Sequence, residues 1–240
     1  MPSRLVILPT YNEAENIKVL IPRIFKYIED CTVLVIDDGS PDGTAEITQD
    51  LANKYPALEV INQGKKGGLG SAYRFGFLWG LSRGYSELVE MDGDLSHRVR
   101  DLSNLLEMKK RLSADLVIGS RWINGGEIEN WSKARELLSR FANRYVRAVL
   151  NLHVNDSTSG FRVYNADLIK KIDVASIQSE GYCFQIEMTR AARKAGAKIV
   201  EVPITFRERE SGVSKMSKAI VFEAMTLVTL WGVKRVFRSR

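Results

Sequence analysis

Over the first 120 residues, short apolar runs alternate with amphipathic stretches. Residues 4–8 form an apolar run suited to a buried parallel strand. Residues 12–30 place Ile17, Leu20, Ile21, Ile24, Phe25 and Ile28 at helical spacing. A second strand is predicted over 32–36, then a helix over 42–55 with Asp42 as its N-cap, and a third strand over 59–62. A glycine-rich turn, 64–70, leads into a helix over 71–83. Residues 85–91 read as a fourth strand, 101–111 as a helix and 114–119 as a fifth strand. This alternation predicts an α/β fold, a mainly parallel doubly wound sheet flanked by helices.

The second half is less regular. A long helical stretch dense in arginine covers 129–150, a turn and strand 155–164, helices 167–172 and 183–196, and a strand 198–205. A polar loop, 207–218, precedes a helix over 219–237 whose apolar positions include Ile220, Val221, Met225, Leu227, Val228, Leu230, Trp231 and Val233. No internal repeat or linker interrupts the chain, so it reads as one main domain over 1–218 followed by an amphipathic helix over 219–240. The opening residues look like a strand rather than a signal peptide. The nearest approach to a membrane span, 219–233, is too short and carries Glu223.

Composition adds two constraints. The 240 residues include 45% apolar and 27% charged positions, ordinary for one globular core. The net charge of +6 favours an anionic partner, although a solubilising surface has the same signature. Cys31 and Cys183 stand alone in unrelated contexts, which implies neither zinc nor a disulfide framework and points to a reducing compartment.

Candidate chemistry collects where the predicted strands end, the edge at which parallel sheets bind ligands. Pro9-Thr10-Tyr11-Asn12-Glu13, Asp37-Asp38-Gly39-Ser40, Lys66, Asp92-Gly93-Asp94 and Gly119-Ser120-Arg121 all fall there. Asp92 and Asp94 are spaced as hard-cation ligands, leaving positions for phosphate oxygens on Mg²⁺ or Mn²⁺. Asp37-Asp38 reads as a turn or as a nucleotide contact. The turn Lys65-Lys66-Gly67-Gly68-Leu69-Gly70 could cradle phosphate or be a plain loop, but it is neither a P-loop nor a dinucleotide fingerprint. Arg121 and Arg135 read as phosphate ligands. Arg140, Arg144 and Arg147 share one helical face, and for Arg144 and Arg147 a solvated face is expected. His97 follows the carboxylates without a second histidine or cysteine nearby, and His153 reads as structural. No Ser-His-Asp or Cys-His arrangement is suggested.

Taken together, these motifs resemble the polyprenol-phosphate mannose synthases, inverting glycosyltransferases of the GT-A fold. The resemblance runs from Pro9 to Lys215 and rests on Met91-Asp92-Gly93-Asp94-Leu95-Ser96-His97, Gly119-Ser120-Arg121, Asn130-Trp131, Arg135 to Ser139, residues 156–162 and Gly212-Val213-Ser214-Lys215. It implies that Pro9, Tyr11, Glu13, Asp38 and Lys66 line the nucleotide pocket. Asp92 and Asp94 would hold the metal, with Ser96 near its shell. Arg121, Arg135 and Ser139 would receive a lipid phosphate, Asp156 would sit at the sugar, and Arg209 and Lys215 would lie on a mobile loop over the donor phosphates. His97-Arg98-Val99-Arg100 departs from the family's His-Pro-Pro-Glu, so no family role passes to Arg98 or Arg100. Some relatives carry C-terminal membrane spans, and none is expected within these 240 residues.

The implied reaction moves mannose from GDP-mannose to a polyprenyl, dolichyl-type phosphate with inversion, using Mg²⁺ or Mn²⁺. A phosphate monoester has a second pKa of about 6 and is already ionised at neutral pH, so it needs no dedicated base. The same fold using UDP-glucose or another donor is the nearest alternative. A non-catalytic subunit is opposed by the intact Asp92/Asp94 pair, and nucleic-acid binding lacks any recognisable motif. The expected setting is the cytosolic face of a membrane, with peripheral attachment through the terminal helix or a small membrane-protein partner.

Overall fold

The computed structural model describes residues 3–208 and 218–238. The chain runs β1 (Arg4–Thr10), α1 (Ala14–Tyr27), β2 (Cys31–Asp37), α2 (Thr44–Ala52), β3 (Leu58–Asn62), α3 (Leu69–Ser82), β4 (Glu87–Glu90), α4 (Val99–Leu112) and β5 (Leu116–Ser120). It continues through β6 (Glu127–Glu129), α5 (Lys133–Leu150), β7 (Arg162–Asn165), α6 (Ala166–Lys171), α7 (Gly181–Lys194), β8 (Ile199–Pro203), β9 (Thr205–Arg207) and α8 (Lys218–Arg238).

The strands form a seven-stranded sheet of order β3-β2-β1-β4-β7-β5-β8. Alternation along each strand divides its side chains between two layers. Val6, Leu8, Val33 and Val35 pack on one face against Ile17, Leu20 and Ile21 of α1 and Leu102 and Leu105 of α4. Leu5, Ile7, Leu34 and Ile36 pack on the other against Tyr73 and Phe77 of α3, Leu168 of α6 and Phe184 of α7. Both faces are covered, which is why these strands read as continuous apolar runs.

The structure refines four expectations. The sheet is mainly parallel, but β7 runs antiparallel between β4 and β5, with Arg162 opposite Glu90. The stretch predicted as one helix over 129–150 breaks at Asn130, whose φ of 69° is not helical, and Glu127–Glu129 pairs with β9 in a separate ribbon. That pairing also splits the single strand predicted over 198–205, with Ile204 at the break. Asp42 is not itself the N-cap: Gly43 takes that position, and the Asp42 carboxylate instead accepts from Thr44 N at 3.1 Å and from Ala14 N at 3.1 Å. It thereby serves the starts of α1 and α2 together.

The terminal helix docks on the domain. Val228 is buried among Val146, Leu150, Leu152 and Ile186, with Tyr145, Val149 and Trp231 around them. The Tyr145 and Thr229 hydroxyls are 2.7 Å apart. Among the described residues no helix is long and apolar enough to cross a membrane.

Candidate active site

A cleft of about 260 Å³ opens over the carboxyl ends of β1, β2 and β4. It brings together Pro9, Tyr11, Glu13, Asp38, Lys66, Asp92, Asp94, Arg121 and Arg135. Residues up to 126 positions apart in sequence thus meet at one sheet edge. Arg209 and Lys215 lie outside the described residues.

The two neighbouring aspartates at the end of β2 have different partners. Asp37 is saturated: Thr10 Oγ1 donates at 3.0 Å, Ser40 N at 2.8 Å and Ser40 Oγ at 2.5 Å. Asp38 receives Gly67 N at 3.1 Å and Gly68 N at 2.9 Å through Oδ2, while its buried Oδ1 has no hydrogen-bond partner among the described residues. A buried acceptor in a cleft wall is an opening for a donor on a ligand. Lys66 lies over the Tyr11 ring, 4.3 Å from its centroid.

The glycine-rich turn is not an empty phosphate cradle. Besides the two amides bound by Asp38, Gly70 N donates to Glu180 Oε2 at 2.7 Å. Glu180 also pairs with Arg74 at 2.7 Å. This carboxylate therefore sits on the N-terminus of α3, where the helix dipole favours an anion. Added methyl groups at Gly68 or Gly70 would meet Glu180 Oε2 at 2.6 Å and Ser179 O at 2.6 Å. Nothing in the local sequence marks Glu180, which acts across 110 positions.

Asp92 and Asp94 follow the apolar end of β4. Asp94 is buried and accepts from Ser96 N at 3.0 Å. Tyr73 OH approaches Asp92 Oδ1 at 3.4 Å, and His97 Nε2 stands 3.3 Å from Asp92 Oδ2. The His97 ring stacks on Phe161 at 4.6 Å and meets Phe206 edge-on at 5.4 Å. Among the described residues no group of three His, Cys, Asp or Glu side chains forms a closed metal cage. Two hard oxygen ligands facing a cleft fit a cation whose remaining positions are filled by phosphate and water, as Mg²⁺ and Mn²⁺ sites are commonly built.

Beneath the cleft lies a polar layer. Arg162 is fully buried and donates to Ser157 O at 2.8 Å, Ser159 O at 2.7 Å and Gln185 O at 3.0 Å, fixing the 157–160 loop under Asp92. Glu90 lies 3.9 Å from Arg162. Burial pushes its carboxyl up to about 8 despite the opposing pull of Arg162. The charged residue inside an apolar strand was the one sequence signal for this layer.

The expected acceptor residues separate. Arg121 donates Nε to Asp156 Oδ2 at 2.7 Å and Nη2 to Asp156 Oδ1 at 2.8 Å. Burial acts to raise the Asp156 carboxyl, but the Arg121 charge and its hydrogen bonds hold it below the ordinary value. Asp156 is fully buried and does not line the cleft, so it supports Arg121 from behind. Arg135 pairs with Glu208 and stacks over Trp131 at 4.1 Å. Ser139 lines a second, apolar groove between α5, α7 and α8, together with Leu138, Val146, Ile186, Met225 and Val228. Arg121, Trp131, Thr158 and Tyr182 line both spaces, so the carboxylate-bearing cleft and the apolar groove adjoin at these residues.

Residues 5–173 match the model of glycosyl transferase family 2. The chain belongs to that family. It is 48% identical over 238 residues to the polyprenol monophosphomannose synthase of Mycolicibacterium smegmatis, covering 98% of this chain and 89% of that protein. The undecaprenyl-phosphate mannosyltransferase of Micrococcus luteus is 47% identical over 229 residues, covering 95% and 93%. The resemblance to polyprenol-phosphate mannose synthases read from the motifs therefore holds over nearly the whole length. Glucosyl-3-phosphoglycerate synthase from Mycobacterium tuberculosis, solved with Mn²⁺, UDP-glucose and phosphoglyceric acid, superposes with a TM-score of 0.69 at 18% identity, covering 96% of this chain and 79% of that one. A mannosyltransferase from Pyrobaculum calidifontis with GDP-Man and Mn²⁺ gives 0.60 at 16% identity, covering 99% and 64%. The fold of this glycosyltransferase is accordingly GT-A.

Proposed function

We propose that this glycosyltransferase moves mannose from GDP-mannose to a polyprenyl phosphate, inverting the anomeric carbon. The observation that carries the reading is the junction of a carboxylate-bearing cleft with an apolar groove through Arg121, Trp131, Thr158 and Tyr182. An acceptor whose charged head is joined to a hydrocarbon chain suits that junction, and a water-soluble sugar acceptor does not need it. The names of the relatives from M. smegmatis and M. luteus support mannose and polyprenyl phosphate, and the GDP-Man complex from P. calidifontis supports the donor.

In this reading Tyr11, Glu13, Asp38 and Lys66 hold the nucleotide, with Asp38 Oδ1 accepting from a donor group on it. Asp92 and Asp94 hold Mg²⁺ or Mn²⁺, consistent with Mn²⁺ in the structural neighbours. When bound, the cation supplies charge screening for the nucleotide diphosphate leaving group. Arg135 and Ser139 position the acceptor phosphate, and Arg121, braced by Asp156, keeps a fixed positive charge at the mouth of the groove. The ionised phosphate attacks without losing a proton, so a single displacement with inversion requires no dedicated base. The acceptor lipid places the enzyme at a membrane surface, on the face exposed to cytosolic nucleotide sugars.

The test is a panel of radiolabelled GDP-mannose, UDP-glucose and GDP-glucose with a short prenyl phosphate. Label from GDP-mannose should move into organic solvent as a β-linked product from the α-linked donor. Preferential use of UDP-glucose, or retention of configuration, would overturn the assignment.

A further inference from the structure

The α5 helix carries a second concentration of arginine, on a face that lines neither the cleft nor the apolar groove. Arg140, Arg144 and Arg147 lie within about 60° of one another around an α-helix. With Trp122, Asn143 and Asn155 they wall a cavity of about 210 Å³ that shares no lining residue with either the cleft or the apolar groove. The local charge is not balanced. Arg140 pairs with Glu136 at 2.9 Å and lies over the Trp122 ring at 4.3 Å. Arg147 donates to the neutral Asn155 Oδ1 at 2.8 Å, and Glu201 stands behind that asparagine, bonded to its amide. Arg144 has no hydrogen-bond or ion-pair partner among the described residues. A solvated helix face would spread such side chains, whereas here they converge on one hollow.

The neighbouring sector of the same helix is apolar and exposed. Leu137 is 68% exposed and Phe141 61%, on successive turns beside the arginine sector. Large apolar side chains at this exposure, flanked by unbalanced guanidinium groups, complement a surface that is hydrocarbon next to phosphate. Guanidinium groups bind phosphate oxygens in paired, planar fashion.

We infer that the Arg140–Arg144–Arg147 cavity binds the headgroup phosphate of an anionic phospholipid, while Leu137 and Phe141 enter the bilayer beside it. This phosphate site is distinct from the one proposed for the acceptor, and it does not depend on which sugar is transferred. It also makes α5, rather than the terminal helix alone, the element that orients the groove toward its lipid substrate.

The experiment is vesicle co-sedimentation of the full chain with neutral phosphatidylcholine and with phosphatidylcholine containing phosphatidylglycerol. The double variant R144Q/R147Q should bind the anionic vesicles roughly 10- to 30-fold more weakly, given the typical contribution of a basic residue at a membrane surface. Its transfer to a short, water-soluble prenyl phosphate and its melting temperature should match the wild type. R144K/R147K keeps the charge but loses the paired geometry and should bind the anionic vesicles measurably more weakly than the wild type. Wild-type vesicle binding by either variant overturns the inference, the lysine case by showing diffuse attraction only. Inorganic phosphate that raises the melting temperature of the wild type but not of R144Q/R147Q, with vesicle binding unaffected by the substitutions, assigns the cavity to a free anion and equally overturns it.

Discussion

Asp156 grips Arg121 through both carboxylate oxygens, at 2.7 and 2.8 Å, and also accepts its backbone N–H at 3.0 Å. Both side chains are buried, so neither charge has water to fall back on. Asp156→Asn leaves the guanidinium without its counter-charge and should lower unfolding free energy by about 3–5 kcal/mol in urea denaturation. Because the folded-state carboxyl lies below its unfolded value, its stabilisation is fully present above about pH 4 and is lost as pH falls through the folded pKa. Wild-type stability should therefore drop in acid more steeply than that of D156N, and the two curves should converge.

Arg121→Lys and Arg135→Lys should part company. Arg121→Lys loses the two-point contact with Asp156, so both turnover and melting temperature should fall. Arg135 is partly exposed beside Glu208, so Arg135→Lys should reduce turnover with little change in stability. Donor affinity, measured by calorimetry, should stay near wild type in both. An equal loss of donor affinity would place these arginines on the nucleotide side.

Asp92→Ala and Asp94→Ala should each remove most turnover, roughly 100-fold or more, as expected when a ligand to a charge-screening cation is lost. EDTA should silence the wild type, and Mn²⁺ or Mg²⁺ should restore it. Full activity after exhaustive chelation would remove the metal from the mechanism.

Glu180 holds the glycine-rich turn that carries Lys66. Glu180→Ala frees the Gly70 amide and removes the counter-charge of Arg74, which keeps only its bond to Ser179 O, a loss of about 1–2 kcal/mol at a helix N-terminus. The Michaelis constant for the donor should rise roughly tenfold, while that for the acceptor should change little. Unchanged donor kinetics would make this contact purely structural.

Gly232 sits where α8 crosses α5. A methyl group there would meet Val149 Cγ1 at 2.3 Å, and the β-branched valine has little rotamer freedom to yield. Gly232→Ala should cost about 1–3 kcal/mol of stability, read as a lower melting temperature. Truncation before Ala219 should destabilise the chain further by uncovering Val146, Leu150 and Ile186. A truncated chain of wild-type stability would show that the packing of α8 contributes nothing.

Periodicity alone made the layered α/β architecture legible, because alternation with helical period reports which faces must be buried. The Asp92/Asp94 spacing and the clustering of motifs at strand ends were likewise visible, since in a parallel sheet every such end points to one edge. The direction of β7 was not visible: a strand of only four residues reads the same either way, and only its place between β4 and β5 decided it. Nor could spacing reveal that Asp156 belongs to Arg121 rather than to the cleft, or that Glu180 closes the turn at Gly70. Those pairings span 35 and 110 positions; the first forms because burial leaves Asp156 and Arg121 only each other, the second because the fold sets the Glu180 carboxylate against the N-terminus of α3. The same holds for α8, whose apolar stripe suits a bilayer and a protein surface equally; the fit of Gly232 and Val228 against α5 and its neighbours settled which of the two its inner face meets.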